Sequence, residues 1–230
     1  MTAPRFSVLT RAALGLLVGV LVCTGLPGTT STVQSQDAAD IARLEFTPGK
    51  PKSVTVYPTE DGESTRGETV EAGRLYWYLP YTLENKSPKG AKFFISIRAE
   101  SEKGRRYSDL ALPSVEKKVE KLERKKLFSK TDQFKAEGGL GAYQDYPVGK
   151  KEECVAIFNP IDPEADIVKI HVHGLVDDLE IEELPGGGYR VTERVLVLTY
   201  ERPGDEFYTA LDSFKFKSRE WTKKVTETGR

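Results

Sequence analysis

The sequence predicts a mainly β protein, an antiparallel β-sandwich with one inserted helix at about residues 114–127. Three observations predict it. In Gly73–Ser101, Leu75, Trp77, Leu79, Tyr81 and Leu83 fall on one face, as do Phe93, Ile95 and Ile97 further on, with Lys92, Ser96 and Arg98 between them. A period of two sustained this long marks strands with one buried face. The same alternation returns in Ile167–Leu175 and Tyr189–Tyr200, and turns rich in Gly, Pro and Asp separate the runs. Helical spacing is convincing only after Pro113-Ser114, where Val115, Val119 and Leu122 form a narrow apolar stripe.

In chain order, residues 1–35 look like an address. Arg5 and Arg11 precede the apolar run Ala12–Val22, and the small-residue region Thr24–Ser35 follows. The run is shorter than the roughly 20 residues of a membrane span, so a secretory signal peptide is expected. Val33 and Ser35 suit the cleavage pattern, with Ala38 as a second choice. Lipid attachment at Cys23 is the alternative, although Val22 is bulkier than the residue such signals carry before the cysteine. Residues 36–42 read as a disordered leader and 43–228 as the β-sandwich domain, in one or two lobes. No later run could span a bilayer, so the mature chain is expected to be secreted or periplasmic. Losing Arg5 and Arg11 moves the formal charge from −1 to −3, against the basic footprint of a nucleic-acid binder. Cys154 is then the only cysteine; it excludes an internal disulfide and suits a small buried hydrophobe.

Leu44 with Phe46 and Val54 with Val56 predict two short strands at a sheet edge, split by Pro48-Gly49-Lys50-Pro51. Thr59–Gly67 is an acidic loop. The central stretch reads as two strands joined by the polar turn Asn85–Gly90, with Pro80 implying an edge position or a bulge. Arg105–Leu110 is a short strand before the helix, whose N-cap is assigned to Ser114. Lys135–Ala142 is a glycine-rich loop without a phosphate-binding signature. Strands follow at Glu152–Phe158 and Ile167–Leu175, and a Gly186–Gly188 turn leads into Tyr189–Tyr200. The last strand, through Phe214, Phe216, Trp221 and Val225, slips phase once near Ser218, as a bulge would.

The run Tyr76–Ser87 ending in Glu-Asn-Lys-Ser, then Ala91–Glu100, Pro147–Phe158 and Ile167–Gly174, resembles the immunoglobulin-like modules of secreted bacterial proteins. The likeness covers residues 73–175 and rests on order and pattern. The Cys–Trp–Cys core of antibody domains is absent, and the helix is an insertion. Such modules are mostly non-catalytic, so the resemblance implies a fold rather than a reaction.

Four features are candidates for function. His171 and His173 are two apart in a strand, on the face opposite Val168, Ile170 and Val172, and are weak candidates for metal ligands beside Asp177, Asp178 and Glu180. Tyr76 and Tyr78 fall on the outer face of their strand, where they pack under the helix, meet a partner protein, or stack on a glycan together with Trp221. The lysine-rich helix is either a solvated face or a surface for acidic polymers. Asn85-Lys86-Ser87 matches a glycan acceptor only in a eukaryotic secretory route, with Pro88 against it. No hydrolase, zinc-protease or Cys/His signature occurs, so no enzyme activity and no cofactor is expected. The expected function is non-catalytic binding or structural support through a sheet face or edge, with an unknown protein or glycan partner. The alternative is a carbohydrate- or cell-wall-binding module using Tyr76, Tyr78 and Trp221.

Overall fold

A computed structural model describes residues 41–57, 73–135, 143–185, 187–202 and 214–228. All of them belong to one compact unit, Ala38–Arg230. The expected signal peptide of residues 1–35, Cys23, most of the expected leader and the loops Thr59–Gly67 and 136–142 lie outside the described residues.

Two antiparallel sheets face each other across one core. In the smaller sheet, β1 (Leu44–Pro48) and β2 (Lys52–Val56) pair one side of β3 (Arg74–Asn85), and β8 (Lys151–Phe158) pairs the other. In the larger sheet, β6 (Arg106–Ser108), β5 (Ser96–Ser101), β9 (Ile167–His173), β11 (Tyr189–Glu201) and β12 (Lys215–Thr228) follow in that order, with β10 (Glu180–Glu183) on the far end of β11. A separate two-stranded piece joins β4 (Ala91–Phe93) to β7 (Gln144–Tyr146). The alternation explains the core. Phe46, Trp77, Leu79, Leu83 and Phe158 meet Ile97, Val168, Ile170, Val172, Leu196 and Leu198, all of them buried. Ala42, expected in a disordered leader, is buried in this core, and its carbonyl accepts from the Asp177 N–H at 3.0 Å.

The central stretch is not a hairpin. β3 and β5 belong to different sheets, and the chain crosses between them after Asn85. Alternation specifies which face of a strand is buried, not which strand it pairs with, and both assignments satisfy it. Asn85 fixes the crossing. It is fully buried; its Nδ2 donates to the carbonyls of Tyr146 (2.7 Å) and Lys89 (3.1 Å), and its Oδ1 accepts from the Ser87 N–H at 2.9 Å. That side chain has no capacity left to carry a glycan.

Pro80 sits in a central strand, not at an edge. Its carbonyl accepts from the Gly49 N–H at 2.7 Å, so its missing donor faces the break between β1 and β2. The proline is tolerated because the neighbouring strand is interrupted opposite it. The phase slip in β12 is present: Thr199 pairs Ser218 and Tyr200 pairs Phe216, which leaves Lys217 as the extra residue of a bulge.

The inserted helix α1 spans Pro113–Glu123, and a second, α2 (Lys130–Lys135), follows it. Ser114 is not the cap. Leu112 holds that position without a side-chain bond, and Glu116 Oε1 reaches back to the Leu112 N–H at 3.3 Å. The helix ends at Arg124 in the left-handed conformation (φ 55°). Val115 and Val119 pack onto Val54, Tyr78, Val155 and Ile157 on the outer face of the smaller sheet. This second, minor core is why one strand face without solvent exposure coexists with a two-sheet architecture.

Candidate functional site

The outer face of the smaller sheet is closed by α1. Tyr78 is only 2 % exposed, and its hydroxyl donates to Glu123 Oε1 at 2.8 Å, where Lys52 Nζ also arrives at 2.7 Å. Tyr76 packs, half-buried, against the same cluster. Trp221 lies on the core-facing side of the other sheet, opposite Leu196, with the Arg43 guanidinium 5.0 Å from its ring centre. The three rings therefore do not share a surface.

The outer face of the larger sheet is different. Side chains directly opposite in an antiparallel ladder point the same way. The ladder sets Arg98 and Val197 beside His171, Ser96 beside His173, Val195 opposite Thr222 and Glu193 opposite Lys224. Both histidines thus stand on the face that their spacing predicts. Around them lies a cleft of about 270 Å³, with Val195 in its wall and Arg98, Arg106 and Lys224 as its outward-facing cations. A second hollow of about 580 Å³ shares Arg98, His173 and Lys224 with it and runs on to Phe94 and Tyr143. These two rings meet edge-on, 6.3 Å apart, and Tyr143 is 63 % exposed. Together the hollows make one groove, basic along its length and aromatic at one end.

Of the acids that line the groove, Glu100 and Glu193 are tied to the histidines, and Asp177 stands in the wall of the second hollow. His173 Nδ1 is 2.8 Å from Glu193 Oε1, and His171 Nε2 lies 3.9 Å from Glu100 Oε2. Burial lowers the pKa of His173, against the opposing pull of the Glu193 hydrogen bond. Burial also lowers that of His171, against Glu100. Both rings are therefore neutral near pH 7, and with Nδ1–H of His173 donated to Glu193, its Nε2 is an acceptor. Each imidazole has its own carboxylate, and among the described residues no three His, Cys, Asp or Glu side chains converge as a metal site requires.

Gly174 follows His173 and supports this end of the groove. Its φ is +77°, and a Cβ there would meet the Phe94 carbonyl oxygen at 1.9 Å, so only glycine fits at this point in the wall of the second hollow. Cys154 is fully buried, and burial, with Glu152 adding to it, pushes its thiol well above the usual range. It is an inert core residue. Among the described residues no helix is long and apolar enough to cross a membrane.

Sequence reasoning found the histidines but missed Arg98, Arg106, Lys224, Phe94 and Tyr143. They come from three separate strands and two connecting segments, so only the strand pairing brings them together. The chain matches no family model, no curated protein and no solved structure.

Proposed function

We propose that the protein is an exported, non-catalytic binding protein with an immunoglobulin-like β-sandwich, whose ligand is an acidic polysaccharide held in the groove on the larger sheet. One observation carries this reading: Arg98, Arg106 and Lys224 line a groove that continues to the exposed ring of Tyr143. Arginine pairs with sugar carboxylates by charge-assisted hydrogen bonds, and an aromatic face stacks on a pyranose ring. The two facing sheets with one shared core support the sandwich, and the basic start and apolar run of residues 5–22 support export.

Isothermal titration with polygalacturonate, against neutral dextran, tests the binding. Binding of the acidic polymer alone, weakened about tenfold or more by Arg98→Ala and by Tyr143→Ala, is expected. Equal heats for both polymers, or a trace unmoved by either substitution, would reject the reading. Because the histidines are neutral near pH 7, affinity should rise as the pH falls below the ordinary histidine value of about 6.5.

A further inference from the structure

β12 runs for 14 residues at the end of the larger sheet, and every residue in it is exposed except the half-buried Trp221. Among the described residues it pairs only with β11, so its other edge carries free backbone donors and acceptors. An open edge this long is ordinarily shortened, covered or bent. Here the bulge at Lys217 interrupts only its beginning, and Ser218–Thr228 stays in regular register with β11.

The charges along the regular stretch choose a partner. Its sequence from Ser218 is Ser-Arg-Glu-Trp-Thr-Lys-Lys-Val-Thr. Laid antiparallel against itself with Thr222 opposite Thr222, it sets Glu220 against Lys224 twice, by symmetry, and no like charges oppose each other. Sliding the pairing by one or two residues in either direction removes that match or sets Arg219 or Lys223 against another cation. Cross-strand pairs of opposite charge stabilise a ladder and like charges destabilise it. On the core side, Arg219 shares a hollow with Glu45 of β1, whereas Lys223 and Val225 beyond it are exposed and leave room for a second body along the rest of the edge.

We propose that two copies of this chain pair antiparallel through the free edge of β12, with Thr222 on the two-fold axis and Glu220 of each copy opposite Lys224 of the other. Nine residues per copy, Ser218–Thr226, then join the two larger sheets into one. Thr222 also lines the groove of its own copy, so the two grooves adjoin across the axis. A long polymer is held at both, which multiplies affinity without any new contact.

Sedimentation equilibrium of the purified protein tests this directly. The expected result is a dimer whose dissociation constant rises tenfold or more in Glu220→Lys and in Lys224→Glu, and returns in the doubly swapped variant, where the same ion pair re-forms with its signs exchanged. Circular dichroism checks that each variant is folded. Oxidation of Thr222→Cys should yield a covalent dimer, and Thr226→Cys should not, because Thr226 faces Ser218 of the other copy. A monomer at every concentration, or a dimer indifferent to the charge reversals and their rescue, would overturn the proposal. Failure here leaves polymer binding by Arg98 intact, and failure there leaves the dimer intact, so the two outcomes are separable.

Discussion

Asp109 is a buried acid outside the groove, and its protonation is a matter of stability. Its Oδ1 accepts from the Ile157 N–H at 2.8 Å, and it lines a small hollow with Tyr81, Lys130 and Tyr146. Burial raises its pKa from 3.8 to about 7, overcoming that hydrogen bond and the Lys130 ammonium. A raised value means that the folded protein holds a proton the unfolded chain has released. The stabilisation is therefore full below about pH 4 and is lost as the pH rises to about 7. Three units correspond to about 4 kcal/mol at most. Asp109→Asn keeps the acceptor and removes the titration. Its urea stability, followed from pH 4.5 to 7.5, should fall less than that of the parent; identical slopes would remove Asp109 from the account. Nothing in the sequence around Ser108-Asp109-Leu110 distinguishes this aspartate from a loop residue, because its burial is produced by β8 and α2, which lie far along the chain. His171 and His173 were legible for the opposite reason, since their face depends only on the alternation of their own strand.

At the scale of the element, α1 is held by its middle. Val119 is fully buried, while Leu122, a member of the predicted stripe, is 55 % exposed. The left-handed turn at Arg124 ends the helix one residue after Glu123, whose carboxylate holds the last turn to Tyr78 and Lys52 while Leu122 faces solvent. Val119→Ala should cost about 2 kcal/mol and Leu122→Ala less than about 0.5 kcal/mol, measured by thermal or urea unfolding. Equal losses would mean that the stripe, rather than the observed packing, describes the contact. The existence of the helix was readable from its spacing, but its end was not, because a left-handed arginine carries no glycine to announce it. Similarly, alternation assigned the inner faces of β3 from Trp77 to Leu83 and of β5 at Ile97, with Leu75 at the strand's start exposed instead, but was silent on their partners. Pro80 misled only because the gap that accommodates it belongs to another segment, Gly49–Lys50.

For the whole molecule, the two sheets differ in what they leave open. The smaller one has its outer face closed by α1 and its tyrosines engaged, whereas the larger one presents a basic groove and a last strand, β12, whose outer edge pairs with no other described strand. That asymmetry made the candidate site hard to read from the chain. Tyr76 and Tyr78 have the sequence pattern of a binding surface but lie under a helix, and Arg98 has the pattern of an ordinary exposed strand residue but stands beside His171. The most direct measurement is backbone amide chemical-shift mapping of the protein titrated with polygalacturonate. The account predicts shifts concentrated at Arg98, His171, His173, Tyr143 and Lys224, with the α1 lysines unmoved. Shifts confined to α1 or to Lys52 and Glu123, or no shifts at saturating polymer, would contradict it.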